Sequence, residues 1–336
     1  MSQKDLASSL DRPAQVVNEI INAKKAITED TALELERVLG IGAHVWMGLE
    51  STYRLTFARQ RERERLRSAI DLLPELPIAA MAKLGWIPKT RDKEALAHEV
   101  LSFFGVANAS AYRNRNPVAA FHFTARAKFS EEALNAWLRR GEIEARNAET
   151  REFDTSRLHE AAQEARALTT EEPGVFVPLL QDCLAYAGVA FVIVPELPKT
   201  GANGVARWLA PRKALIQLNL RYKWADIFWF TLFHEIAHLL RHHKDRNIIV
   251  DGEGINGDRV IEDDANQWAA DFLIDPGMWE AFTSNPGFTR DAVTRFAAEA
   301  GIAPGIVVGR LQREHRLPYN ALADLKARFA WAESAG

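Results

Sequence analysis

The sequence predicts an α+β fold, mostly helical, and three observations predict it. Helical apolar periodicity fills most of the chain. Three short strand-like runs, the first apolar and β-branched, sit together between residues 189 and 220. An apolar helix follows them and carries two histidines and a glutamate at metal-ligand spacing. The expected layout is a helix-turn-helix bundle over residues 1–65, a helical connector region over 66–168, a small α/β domain over 169–280 and a C-terminal helical subdomain over 281–336.

At the N-terminus, Gln3 to Leu10 shows a helical apolar pattern through Leu6, Ala7 and Leu10. Asp11-Arg12-Pro13 then reads as a helix start, with Asp11 as cap. The next helix, Ala14 to Asn22, turns Val16, Val17, Ile20 and Ile21 inward and Gln15, Asn18 and Glu19 outward. Thr28-Glu29-Asp30 opens a third helix, with Leu33, Leu35, Val38 and Leu39, stopped by Gly40. Two short helices joined tightly, the second bearing outward amides, form a helix-turn-helix pattern. Gln15 and Asn18 are candidates for reading base edges and Lys24 and Lys25 for phosphate contacts, with Arg12 a further DNA-binding candidate. Through Ile41-Gly42-Ala43-His44-Val45-Trp46 to about Arg59, the stretch resembles the XRE-type helix-turn-helix of HigA-like antitoxins. That family's first helix has no counterpart before Met1-Ser2-Gln3, so a later helix or a second chain, as in a homodimer, would have to cover Leu6, Leu10 and Leu39. Charges nearly balance here, which suits a helical protein-interaction module as an alternative.

Arg59-Gln60-Arg61-Glu62-Arg63-Glu64-Arg65 alternates charge as a solvated helix does. Beyond it, Pro74, Pro77 and Pro88 mark breaks, and the clearest helices are Glu94 to Phe104, Glu131 to Arg140 and Leu158 to Leu168. Val189 to Val194, Gly204 to Leu209 and Ala214 to Leu220 read as strands, the last two joined by a turn at Pro211-Arg212-Lys213.

The most informative stretch is His234-Glu235-Ile236-Ala237-His238. Imidazoles four residues apart share one helix face and can both ligate a tetrahedral zinc ion. The glutamate between them then lies beside the open coordination position, placed as general base. Trp224 to Phe233 upstream and Leu239-Leu240 downstream are nearly all apolar, with Asp226 as the expected N-cap, so the helix should be buried. Such burial is costly for three polar groups unless something satisfies them together, and a metal ion would. The acidic helix from Val260 to Ile274 supplies the third ligand: Glu262 is preferred over Asp263 and Asp264, whose shorter arms suit the helix start. Asn266, one turn on, would orient a ligating histidine. Tyr222 or His243 could steady an oxyanion.

His234-Glu235-Ile236-Ala237-His238, Glu262-x-x-Ala265-Asn266-x-x-Ala269 and the Phe272-Leu273-Ile274-Asp275-Pro276 ending together resemble the ImmA/IrrE family of zinc-dependent metallopeptidases over roughly residues 170 to 280. Trp268, where phenylalanine is usual, and Asp275 before the proline depart from the pattern. The resemblance implies a small zincin-like α/β peptidase domain with His234, His238 and Glu262 on zinc and Glu235 as base, although another divalent ion such as manganese is chemically admissible.

After Pro276 helices are expected at Thr289 to Ala300, Ile306 to Glu314 and Asn320 to Trp331, forming a subdomain docked on the peptidase. A net charge of -3 argues against general polyanion binding. The single cysteine, Cys183, forbids an intrachain disulfide and reads as a packing residue. No targeting or membrane-spanning run stands out, so a cytoplasmic protein is expected. By resemblance the function is cleavage of a protein such as a transcriptional repressor, in a stress or mobile-element response, by a peptidase joined to an operator-binding unit. The alternative is a HigA-like antitoxin or regulator whose metal site is structural or sensory.

Overall fold

The computed structural model describes residues 1–114, 122–123, 130–242, 249–252, 255–256, 259–285 and 287–330. It is mostly helical with a small mixed sheet. The chain divides into two compact units, one comprising Met1–Asp71 with Asp92–His98, the other Leu72–Arg91 with Glu99–Gly336. No single helix among the described residues is long and apolar enough to cross a membrane.

The smaller unit holds helices α1 (Gln3–Ser9), α2 (Ala14–Ile21), α3 (Glu29–Leu39) and α4 (Ala43–Ile70). A capping box starts α1: Asp5 N–H donates to Ser2 Oγ at 3.2 Å and Ser2 N–H donates to Asp5 Oδ2 at 2.8 Å. Thr28 caps α3, and Gly40 ends it in the left-handed conformation, φ 72°. Ala7, Leu10, Val17 and Leu35 form a small core, with Leu6, Ile27, Val38 and Trp46 packed against it. Two expectations fail here. Asp11 does not cap α2: it takes a left-handed φ of 49° in the turn, and Pro13 occupies the N-cap. Ile21 is exposed rather than inward, because the small core on Ala7, Leu10, Val17 and Leu35 leaves no second layer to cover it; Leu33 and Leu39 are exposed as well.

The larger unit is built on a four-stranded sheet of order β2 (Val189–Ile193), β4 (Lys213–Leu218), β3 (Ala202–Ala210), β5 (Ile249–Gly252). β2 and β4 are parallel, and the other pairs antiparallel. Ala210 pairs with Lys213, so Pro211-Arg212 closes a tight hairpin. A separate ladder joins β1 (His122–Phe123) to β6 (Ile255–Asn256). Side chains alternate across β4. Ala214, Ile216 and Leu218 enter the main apolar core, whereas Gln217 points to the other face, where its Nε2 donates to Trp137 O at 2.8 Å on α8 (Glu131–Arg146).

The main core gathers α9 (Thr155–Ala167), α10 (Pro173–Tyr186), α11 (Ala225–Arg241), α12 (Arg259–Leu273), α14 (Arg290–Ala300) and α15 (Pro304–Arg313) around Phe176, Trp229, Phe233 and Leu311. The shorter α13 (Pro276–Thr283) is capped by Asp275. Arg166 of α9 donates to the carbonyls of Phe272 and Leu273 at 3.1 and 3.0 Å and of Ala300 at 2.7 Å, satisfying the free ends of α12 and α14.

The start of α11 departs from expectation. Trp224, not Asp226, is its N-cap, and the Ala225 N–H donates to Ala327 O at 3.0 Å. Asp226 is buried inside the first turn and pairs with Lys326 at 2.8 Å. The segment expected as a helix from Asn320 instead holds a 3-10 turn at Ala323–Leu325 and an extended stretch bridging Arg328 to Trp224. Backbone donors of α11 and Phe329 draw that stretch into pairing, and Phe329 N–H donates to Lys223 O at 2.7 Å. Trp331 lies outside the described residues.

Candidate metal centre

Helix α11 carries no glycine or proline and is apolar on nearly every side, so packing holds it. His234, Glu235 and His238 are each at most 2 % exposed. The i, i+4 spacing brings the two imidazoles together, Nε2 to Nε2 at 2.9 Å. Glu262, from the first turn of α12, completes the group with Oε2 3.2 Å from His234 Nε2 and Oε1 3.7 Å from His238 Nε2. Its approach is permitted by Ala265 and Ala269, whose small side chains are fully buried on α12.

The three ligand atoms lie within 4.8 Å of one another. A tetrahedral ion with bonds of about 2.0–2.1 Å holds its ligands roughly 3.4 Å apart, which these separations bracket. The donor chemistry fits as well. Burial, followed by the influence of His234 and His242, pushes the His238 pKa down to about 2, so its ring stays neutral and able to ligate. Glu262 Oε1 is buried without a hydrogen-bond partner among the described residues, as are His234 Nδ1 and His238 Nδ1. Two imidazoles and a carboxylate suit zinc and related divalent ions, so the residues present fit such a metal.

The neighbouring carboxylates are occupied elsewhere. Asp264 accepts two hydrogen bonds from Arg241 at 2.5 and 2.7 Å and lies 3.1 Å from His242. The Arg241 bond holds its pKa below the usual carboxylate range. Asp263 is exposed, 3.7 Å from Arg259. Asn266 sits differently from expectation. One turn along α12 carries it past the imidazoles, and its Oδ1 accepts from Arg313 Nη2 at 3.2 Å rather than from a histidine. Tyr222 is exposed beneath Arg221, whose guanidinium lies 5.1 Å from its ring centre. His243 lies outside the described residues.

Glu235 faces the sheet. A Cβ at Gly204 of β3 would fall 2.5 Å from Glu235 Oε1 and 2.7 Å from the Thr231 methyl. The glycine therefore lets the carboxylate lie directly over the strand backbone. The register shift between Ala202 and Gly204 against β5 marks the same point as a bulge. The sequence signal for this role is a lone glycine inside a strand pattern. Of the proposed DNA contacts, Gln15, Asn18, Lys24 and Lys25 are exposed. Arg12 is engaged instead by Glu34 at 2.8 Å.

Two similarities to known proteins are found for this chain. A stretch of 60 residues, 18% of this chain, is 37% identical to Virulence-associated protein I of Dichelobacter nodosus, and the chain spans 56% of that protein's length. Residues 196–312 match the family model Peptidase_M78, IrrE N-terminal-like domain. That match omits β2 and continues through α14 and most of α15, which share the core of α11. Residues 196–312 are therefore similar to the IrrE N-terminal-like domain, and the His234, His238 and Glu262 group lies inside the matched segment.

Proposed function

We propose that residues 196–312 act as a zinc-dependent endopeptidase, working in the cytoplasm on a protein substrate such as a transcriptional repressor. The observation that carries this reading is the convergence of His234, His238 and Glu262 beside the buried Glu235. When bound, zinc or another divalent ion such as manganese would polarise the scissile carbonyl and make water acidic enough to attack near neutral pH.

The chain's own groups divide the remaining work. His234 and His238 present Nε2, and Glu262 its carboxylate, as ligands. Glu235 Oε1, over Gly204, accepts the proton of the attacking water and returns it to the leaving amine. The sheet offers a place for an extended substrate: among the described residues β5 is an edge strand, and its Asp251 pairs with Gly204. A peptide added along β5 would lie two strand spacings, about 9–10 Å, from β3 and take its backbone hydrogen bonds from β5. Gln15, Asn18, Lys24 and Lys25, exposed around α2, are proposed to give the smaller unit its contact with operator DNA.

Metal content and peptide hydrolysis of wild type, Glu235→Gln and Glu262→Ala test the assignment. Glu235→Gln should keep its metal and lose about 10²–10⁴-fold in hydrolysis, the share of a general base. Glu262→Ala should lose metal. Undiminished hydrolysis by Glu235→Gln would end the peptidase reading.

A further inference from the structure

Arg313, the last residue of α15, reaches the rim of the metal-ligand group without a carboxylate of its own. Its Nη2 donates to Asn266 Oδ1 at 3.2 Å, and its guanidinium carbon lies 4.4 Å from the centre of the Phe230 ring. Both of these holders are neutral. Its neighbours are spent differently: Arg310 and Arg316 pair with Glu314 at 3.0 and 3.1 Å. Among the described residues no carboxylate lies within ion-pair distance of Arg313, and the residue is exposed.

Its position follows from helix spacing. Phe230 precedes His234 by four residues on α11, and Asn266 follows Glu262 by four on α12. Each is one turn, about 5–6 Å, from a ligand. The Phe230 and His234 ring centres are 6.5 Å apart. This is also the accessible side of the group: Phe230, Asn266 and Glu262 are partly exposed, while His234, Glu235 and His238 are sealed. One helical turn equals one to two residues of extended peptide at about 3.3 Å each.

A guanidinium stacked on a ring and oriented by an amide keeps its remaining N–H groups as a planar fork, which matches a carboxylate. We propose that Arg313 is a specificity-determining residue that binds an acidic side chain of the substrate, one or two residues from the bond cut at the His234, His238 and Glu262 centre. The proposal rests on the peptidase reading of that centre.

A degenerate peptide library with Asp, Asn or Lys placed in turn at each position provides the test. It is offered to metal-loaded Glu235→Gln protein, the retained peptides are sequenced, and the same library is incubated with wild type. The retained pool should favour Asp over Asn about tenfold at one position, the size of a charge-assisted hydrogen bond. That preference should vanish in Glu235→Gln/Arg313→Ala and turn towards Lys in Glu235→Gln/Arg313→Glu, with metal content unchanged. Wild type should cut one or two residues from the selected Asp. Equal retention of Asp and Asn peptides, no retention at all, loss of metal from the Arg313 variants, or an Asp preference surviving Arg313→Ala each overturns the proposal. Retention that depends on Arg313 without any cleavage by wild type would sink the peptidase reading while upholding Arg313 as the acidic-peptide contact.

Discussion

The two units treat their polar groups in opposite ways. In the smaller unit Gln15, Asn18, Lys24 and Lys25 stand in water around a small core on Ala7, Leu10, Val17 and Leu35. In the larger unit His234, Glu235 and His238 are sealed beneath a core that runs from Leu158 to Leu311. A polar group in water costs nothing to place, so its exposure says little about its task. A buried polar group must be satisfied or it destabilises the fold by a few kcal/mol, so its burial implies a partner. The contrast teaches that burial, more than residue type, makes a sequence motif informative. It also separates the two surfaces in what each mutation should cost.

The largest effect should come from the latch on α11. Asp226 and Lys326 are 8 % and 10 % exposed, and burial raises the Asp226 carboxyl above its usual range despite the ammonium beside it. Lys326→Met strands that carboxylate and should cost about 3–5 kcal/mol in chemical denaturation. Adding Asp226→Asn should recover part of the loss. A loss below about 1 kcal/mol would put the latch on a par with the surface pairs of the smaller unit.

Next comes acid sensitivity of the metal-free protein. The unfolded chain protonates His238 near pH 6.5, whereas the folded chain resists until about pH 2. Between those values the unfolded state binds the extra proton, so stability falls as pH drops below about 6.5, by up to about 1.4 kcal/mol per pH unit. Denaturation at stepped pH with chelator present measures it, and Glu262→Gln controls for the neighbouring carboxylate. A flat profile from pH 6.5 to 5 would mean that the His238 imidazole is not buried in solution.

Glycine substitutions sharpen the same contrast with opposite signs. Gly204→Ala pushes a methyl group into Glu235 and Thr231 and should cost about 1–3 kcal/mol together with most of the hydrolysis. Gly48→Ala, in the exposed interior of α4 with nothing within 4 Å, should stabilise by about 0.5–1 kcal/mol. Thermal melts of both variants decide. The smallest energetic change belongs to Lys24→Ala/Lys25→Ala, which should leave folding untouched and lower the salt dependence of operator binding by about two phosphate contacts. An unchanged salt slope would remove α2 and its following turn from the DNA surface.

Much of the local structure was legible in the sequence. The strand-like runs starting at Val189, Gly204 and Ala214 are present as β2, β3 and β4, and the acidic segment after Arg259 forms α12. Alternation and the 3.6-residue period are properties of neighbouring residues, so they survive without knowledge of the fold. The misreadings share a cause. Asp11 and Asp226 are good caps by residue type, yet a turn and a distant lysine claimed them. Asn320 onward has a helical pattern but was drawn into pairing with Trp224. Competition from remote partners is absent from any local window.

The sequence by itself determined that two imidazoles share one face of an apolar helix, because four residues make about one turn. Only the tertiary structure decided which carboxylate meets them. Glu262, Asp263 and Asp264 are consecutive and lie at successive angles around α12, and the side that α12 turns to α11 separates a ligand-distance group from a solvated one and an Arg241 partner. The same holds for Gly204 beneath Glu235 and for Arg313 beside Asn266. Helical and strand periods specify faces, but the face that each residue meets is set by packing among elements far apart in the chain.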